Sequence, residues 1–479
     1  MSANDFYALS PLLILAGSSV VIMLLIAIRL SHRIIQLSSL LLFGIAFYSL
    51  IFTSDILPYI IPPLLIFDGF SSFIIGLIIF SSLVVNILSY VYFEEKEENP
   101  KEYYVLLFLC TLGSCVLAVS NHFVSLFLGL EILTVGLYAL IAYLRGRNHS
   151  IEAGVKYLVL AAFSSAFLLF GMALIYLEIG SMNFTEIGST LQGREAIPSI
   201  FITGLGMLLV GVGFKLAIVP FHMWTADIYQ GAPAPVTAFI ATASKGGMFA
   251  VLFRFFSSIE GFDFPEIMTI VTVIAIASMI IGNLLALKQR NVKRILAYSS
   301  IAHFGYLLVA FIPGSAMSLE AISFYLLAYF LTTLTAFGIV TILSVTATDA
   351  EEIDDYKALF WQHPVLACVF TGSLLSLAGI PLTIGFISKF YVLAAGLQGG
   401  LWLSAIVLVL SSVFGLYYYL RIITMMFSGK ASTERLEKKA HPGFYIASSV
   451  ALSMFTFYIL WLGLYPSGMM EFLTLLLRK

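Results

Sequence analysis

The chain is written almost end to end in apolar runs about as long as a lipid bilayer is thick. A spanning helix needs roughly 20 such residues, because the hydrocarbon core offers no water and each backbone N–H and C=O must pair within the segment. Fourteen runs can be read, at about 8–30, 34–53, 67–93, 103–120, 122–144, 152–178, 199–220, 233–256, 265–287, 293–313, 318–345, 364–396, 401–428 and 444–464. Little chain remains between them, so no separate soluble domain is expected. Of the 479 residues 60% are hydrophobic and 10% charged, against about 25% charged in soluble domains. The expected fold class is an all-α polytopic membrane protein with about 14 transmembrane helices. The opening MSANDFY carries no positive charge ahead of the first run, which reads as a retained helix and not a cleaved signal. The tail PSGMMEFLTLLLRK is too short to span and is expected to lie along the surface. A net charge of −2 points to neither nucleic acid nor a polybasic lipid anchor.

Cationic residues orient the helices. With the N-terminus outside, Arg29, Arg33, Lys96, Lys101, Arg145, Arg147, Lys288, Arg290, Lys293, Arg294, Lys357, Arg421, Lys430, Arg435, Lys438 and Lys439 all fall in cytoplasmic loops. Only Arg194, Arg254, Arg478 and Lys479 fall outside. The positive-inside rule therefore predicts both termini outside.

Lys156, Lys215, Lys245 and Lys389 fit neither side, because each lies within an apolar run. Glu131, in LFLGLEILTVGLY, is the acid placed deep in a run; Glu152, Glu178 and Glu320 stand at run ends. A charge at mid-bilayer costs several kcal/mol. One plain reading is ion pairing that ties helices together. Lys156 is one turn into its run and can reach the surface by its long stem. One glutamate cannot neutralise the other three lysines. Burial disfavours the charged form of any amine, so such groups can gain and lose protons, and chains of ionisable residues inside a membrane usually mark an ion pathway.

Two of the lysine-bearing runs are irregular. GVGFKLAIVPFHMW places Pro220 five residues after Lys215, and the overlong run 364–396 places Pro381 eight residues before Lys389. Proline breaks or kinks a helix, and broken helices at mid-membrane are tolerated where they line a polar cavity. Their matching places suggest two inverted five-helix repeats, helices 4–8 and 9–13, with helices 7 and 12 broken. The chain then divides into three N-terminal helices (1–102), a first repeat (103–260), a second repeat (261–428) and a C-terminal helix and tail (429–479). Between helices 7 and 8, His222, Trp224 and Asp227 can form an amphipathic turn, and Pro233 and Pro235 can set the next helix start. His222 and His303 read by default as hydrogen-bonded structural residues; His303 is the better candidate for a proton relay.

Redox and nucleotide chemistry find no residues here. The glycines of GLGMLLVGVG lie inside a membrane helix, where close packing explains them. Cys110, Cys115 and Cys368 sit in apolar runs without metal-binding spacing and read as packing residues.

The segment FKLAIVPFHMWTADIYQGAPAPVTAFIATASK, with its Y-x-G-A-P-x-P-V core and the following S-K, resembles the antiporter-like membrane subunits of proton-pumping NADH:quinone oxidoreductase, respiratory complex I. The resemblance covers the whole chain by helix count. It implies that Glu131 and Lys215 form the family's charge pair, that Lys245 is the central connecting lysine and that Lys389 is nearest the exit. A lysine at 389, and no long C-terminal lateral helix, resemble one of the shorter paralogues. The resemblance implies no cofactor in this chain, with NADH, FMN, iron–sulfur clusters and quinone in partner subunits that include paralogous antiporter-like subunits, and a place in the cell inner membrane. His303, Lys156 and His222 stand as possible relay residues. Alternative readings are a cation/proton antiporter subunit, the equivalent subunit of a ferredoxin- or hydrogen-linked relative, and a passive scaffold.

Overall fold

The computed structural model describes residues 2–96, 100–192, 197–344, 349–429 and 442–479. Its main helices are α1 (Ala3–Ala27), α2 (His32–Tyr48), α3 (Gly69–Glu94), α4 (Glu102–Val119), α5 (Phe123–Ile141), α6 (Asn148–Ile179), α7 (Ser199–Leu216), α8 (Thr225–Gly231), α9 (Ala234–Ser258), α10 (Pro265–Leu287), α11 (Val292–Phe311), α12 (Ala316–Leu343), α13 (Pro364–Ala378), α14 (Ile384–Gln398), α15 (Trp402–Phe427), α16 (Pro442–Leu464) and α17 (Ser467–Leu477). Among the described residues twelve helices are long and apolar enough to cross a membrane. Taking α13 and α14 as one broken crossing and α16 as another accounts for the fourteen runs. The tail helix α17 turns 87° away from α16 and is tied back by Thr474, whose hydroxyl donates to Glu320 at 2.9 Å. Arg194, Lys430, Arg435, Lys438 and Lys439 lie outside the described residues.

The two most polar spans are among the most deeply buried, as a lipid solvent requires. The least apolar spans, α9 and α11, have mean hydropathies of 1.5 and 1.3 and are 100% and 89% buried. The strongly apolar α6, at 2.4, is 33% buried and turns Phe163, Phe167 and Phe170 outward. Helices that carry lysine, serine and histidine thus occupy the centre, where side chains and internal water can satisfy them. Small residues let neighbouring backbones close up: a Cβ at Gly171 would stand 2.5 Å from the Gly204 carbonyl oxygen, and one at Gly204 would stand 2.8 Å from that of Gly171.

Both proline-bearing runs are broken, as expected. Helix α7 ends at Leu216, followed by Ala217 in the left-handed region at φ 60°. The freed backbone groups find partners: Trp224 Nε1 donates to the Phe214 carbonyl at 3.0 Å, and the Val219 N–H donates to Ser278 at 3.0 Å. Helix α13 ends at Gly379, also left-handed at φ 83°. Helix α9 starts between Pro233 and Pro235, where a missing N–H costs nothing. Two features depart from the sequence reading. A short antiparallel hairpin, Tyr59–Ile61 against Leu65–Phe67, lies between α2 and α3, in the link to which the count of apolar runs assigns no element. Cys368 is exposed on α13, unlike the buried Cys110 and Cys115.

Candidate proton-transfer track

Lys215, in the last turn of α7, is 4% exposed. Its Nζ donates to Thr134 at 2.6 Å and to Tyr157 at 3.1 Å, and it stands 5.1 Å from the Tyr157 ring centroid. Glu131 lies one turn before Thr134 on α5 and accepts a hydrogen bond from Ser165 of α6 at 2.7 Å. It is half-buried, between the exposed Leu128 and Val135. The two expected members of a charge pair are therefore neighbours without direct contact, and Thr134 connects the helix of one to the ammonium of the other.

Lys245 sits midway along α9, where a π-helical turn over Ile240–Ser244 gives way to regular helix. Such turns recur at functional positions. The residue is fully buried. Its Nζ donates to Ser300 at 2.7 Å and lies 4.8 Å from the Phe304 ring centroid and 5.9 Å from that of Tyr229. Tyr329 donates to the same serine at 2.8 Å.

Lys389, on α14, reaches back to the broken end of α13. Its Nζ donates to the carbonyls of Leu377 and Ala378, each at 3.0 Å. Those carbonyls belong to the last turn of a helix, where acceptors lack intrahelical partners and the macrodipole is negative. A cation there is stabilised without a carboxylate. Among the described residues none of the three buried lysines has a carboxylate within ion-pair distance, so each ammonium is held by hydroxyls, ring faces or backbone carbonyls.

His303 lies between the second and third of these sites, close enough to Lys245 and Lys389 to interact electrostatically with both. Its Nδ1 shares a 2.7 Å hydrogen bond with Tyr325. Its Nε2 is 3.5 Å from the Tyr419 hydroxyl, which is bonded in turn to Ser299. Lys389 stands 5.0 Å from the Tyr306 ring centroid. Two hydrogen-bonded groups, Lys245–Ser300–Tyr329 and Tyr325–His303–Tyr419–Ser299, thus lie along the way from Lys245 to Lys389, with no direct bond among the described residues between them or to Lys389.

The remaining candidates fall elsewhere or lack partners. Lys156 is at the surface, 45% exposed, paired with Glu152 at 2.7 Å and Asp227 at 3.3 Å; Asp227 also binds Arg294 at 2.7 Å. His222 is buried, and neither ring nitrogen has a hydrogen-bond partner among the described residues, unlike the hydrogen-bonded histidine expected from sequence. Sequence reasoning missed Thr134, Tyr157, Ser300, Tyr325, Tyr329 and Tyr419. Ser299, Ser300 and His303 at helical spacing, and Tyr325 and Tyr329 four apart, were the available signals.

A second buried charge group was not anticipated. Asp349, just beyond α12, has a fully buried side chain that meets Lys96, Arg147 at 2.9 Å and Lys293 at 3.1 Å, with Tyr92 donating to both carboxylate oxygens at 3.0 Å. Burial works to raise its pKa, but Lys293, Lys96 and Arg147 together hold it well below the usual carboxylate range. Lys293 also donates to the carbonyls of Gln230 and Ala232, at 2.9 and 3.1 Å, and so ties the junction to the α8–α9 link.

Comparison with known proteins gives a consistent picture. The family model for the membrane region of NADH:quinone oxidoreductase and Mrp antiporters matches residues 120–415. A curated relative, NADH-quinone oxidoreductase subunit N of Ectopseudomonas mendocina, is 43% identical over 98% of this chain and 96% of its own length. A chain of respiratory complex I from Thermus thermophilus is 32% identical, with a TM-score of 0.82 over 96% of this chain and 98% of that one. A chain of the Mrp complex from Dietzia sp. has the same fold, with a TM-score of 0.85 at 22% identity over 100% of this chain and 97% of its own. The match of the family model over residues 120–415 and the 43% identity along nearly the whole chain place this chain in the family of NADH:quinone oxidoreductase and Mrp antiporter membrane subunits.

Proposed function

We propose that this chain is the N-type membrane-arm subunit of a proton-translocating NADH:quinone oxidoreductase. The 43% identity to a subunit N along nearly its whole length supports that reading. The chain works among other subunits, paralogous antiporter-like ones included. Electrons pass from NADH to quinone in those partners, which hold the FMN and iron–sulfur clusters, and this chain contributes no redox group. It sits in the inner membrane with both termini outside, the end bearing Lys96, Arg147 and Lys293 facing the cytoplasm.

One observation carries the mechanism: three buried lysines each held by neutral donors and acceptors and not by an acid. An ammonium held in this way can release its proton without leaving an unpaired carboxylate in the membrane: the amine left behind accepts from a hydroxyl at Lys215 and Lys245 and goes on donating to the two carbonyls at Lys389. Charge moving near Glu131 alters the field at Lys215. The proton affinity of Lys245, and then of Lys389, changes in turn. Protons step from Lys215 to Lys245, and through the Ser300, Tyr329 and His303 group to Lys389, with internal water filling the gaps. The dense packing of α9, α11 and α12 keeps that water from becoming a continuous leak.

The test starts from native membranes. After gentle solubilisation and a native gel stained for NADH oxidation, this chain is expected to migrate with the activity when located by mass spectrometry. Lys245→Ala in that complex is expected to lower proton pumping and coupled quinone reduction together. Migration in a small particle without NADH oxidation favours the cation/proton antiporter reading; normal pumping by Lys245→Ala removes the central relay.

A further inference from the structure

We propose that the hydroxyl of Tyr229 on α8, backed by that of Thr225, is the transfer point between the Lys215 and Lys245 sites. The inference rests on the proposed proton-translocating function and names the group that links its first two stations.

His222, Thr225 and Tyr229 are spaced by three and four residues, so they line one stripe of the short helix and the turn that leads into it. Thr225 and Tyr229 are fully buried. Neither hydroxyl, and neither nitrogen of His222, has a hydrogen-bond partner among the described residues. Isolated orphans of this kind are rare in packed interiors, because each gives up a hydrogen bond that water supplies in the unfolded chain. A whole stripe of them marks a place where internal water completes the bonding.

The position of Tyr229 gives that water a use. Its ring is packed edge-on against Phe337, with centroids 6.0 Å apart, and also faces Lys245. Its hydroxyl has Ser300 close by, outside bonding geometry, and lies in the neighbourhood of Tyr157 and Tyr329. Tyr157 is bonded to Lys215; Ser300 is bonded to Lys245. Tyr229 therefore stands between the partner of one lysine and the partner of the other. Its helix is fixed at both ends: Arg294 binds Asp227, and Lys293 binds the Gln230 carbonyl. The hydroxyl can rotate while its helix stays in place.

The step is neutral overall. A water carrying the proton released by Lys215 donates to the tyrosine oxygen, and one O–H bond forms there. The original O–H bond breaks as its proton passes, directly or through a second water, to unprotonated Lys245. The phenol is restored with its hydrogen turned the other way, Lys215 has become a free amine and Lys245 an ammonium. No oxidant and no other co-reactant is needed.

Tyr229→Phe removes the hydroxyl and keeps the ring against Phe337. The assay uses membrane vesicles containing the assembled complex. NADH oxidation with an artificial electron acceptor checks assembly, and quinone-dependent proton pumping is measured in H2O and in D2O, with Lys245→Ala alongside. The expected result is unchanged acceptor activity, pumping lowered roughly tenfold, and a larger H2O/D2O rate ratio than in the unaltered complex, because proton transfer has become limiting. Lowered pumping with an unchanged ratio indicates a packing defect and overturns the proposal. Normal pumping by Tyr229→Phe with defective Lys245→Ala also overturns it and leaves the proposed function standing. Normal pumping by both removes the function and the relay together. Where Tyr229→Phe does not assemble, Thr225→Val, which keeps its volume, is put through the same two measurements and the same outcomes decide.

Discussion

The Lys245 ammonium donates to the Ser300 hydroxyl at 2.7 Å, and Tyr329 donates to the same oxygen. Ser300 thus accepts from both and fixes the lysine at mid-membrane without adding charge. Ser300→Ala leaves a fully buried donor short of an acceptor, at a cost of about 1–3 kcal/mol. That cost falls chiefly on the charged form, so the expected outcome is a pumping rate reduced roughly tenfold with the complex still assembled. Pumping assayed in vesicles and normalised to assembled complex checks this; an unchanged rate and pH profile show that Ser300 is only a packing residue.

Glu131 acts by charge in the proposed function, and its separation from Lys215 allows charge and hydrogen bonding to be told apart. Glu131→Gln retains an oxygen for the Ser165 hydroxyl and removes the negative charge. Thr134→Val removes the hydroxyl that Lys215 contacts and keeps the charge. The expectation is a fall in pumping for both, with salt-insensitive loss because the site is screened from bulk ions. A Glu131→Gln complex that assembles and pumps normally makes the carboxylate structural.

Lys389 and Gly379 make a local test of the third station. Gly379 is left-handed, and a Cβ there would lie 2.9 Å from the Lys389 side chain. Gly379→Ala is therefore strained in its backbone and also displaces the ammonium from the Leu377 and Ala378 carbonyls. The expected cost is about 1–2 kcal/mol in stability, together with lost pumping. Lys389→Met tests the ammonium alone, since it keeps most of the volume and frees both carbonyls. Heat-induced loss of the complex, followed beside pumping, separates the two effects; pumping unaltered in both variants removes Lys389 from the pathway.

Much of this arrangement was legible because a membrane makes sequence explicit. The bilayer sets run length, so an all-helical, many-span fold could be read from the apolar runs, and the cost of burying charge made Lys215, Lys245 and Lys389 conspicuous. Pro220 and Pro381 announced the two breaks. The partners were not legible, because serine, threonine and tyrosine are cheap in a membrane helix and occur for many reasons. Ser300 gains its meaning only when α11 lies against α9. Asp349 was obscured for a related reason: it reads as an ordinary loop acid until Lys96, Arg147 and Lys293 arrive from three distant parts of the chain. Lys156 shows the reverse, a lysine inside a predicted run that reaches the surface to pair with Glu152 and Asp227.

That loop acid yields a prediction separable from proton transfer. Asp349→Asn leaves Lys96, Arg147 and Lys293 facing one another with their common counter-charge removed; Lys293 keeps Glu351 at 3.3 Å. Breaking a buried charge group by removing one member typically costs about 3–5 kcal/mol, and the partial exposure of Arg147 places the expectation near 3 kcal/mol. The carboxyl is held below its unfolded value, so its stabilisation is complete above a pH of about 4 and is lost as pH falls through the lower folded value. The thermal midpoint of the native complex should therefore exceed that of Asp349→Asn by a constant margin from neutral pH down to about pH 5. The margin should narrow on further acidification. A margin that is absent at neutral pH, or that widens in acid, contradicts the assignment of Asp349 as the anion that holds α3, the α5–α6 turn and α11 together. Because Lys293 also fixes the carbonyls that precede α9, the variant should in addition loosen the helix that carries Lys245, seen as faster amide hydrogen exchange over residues 230–240 than over α6.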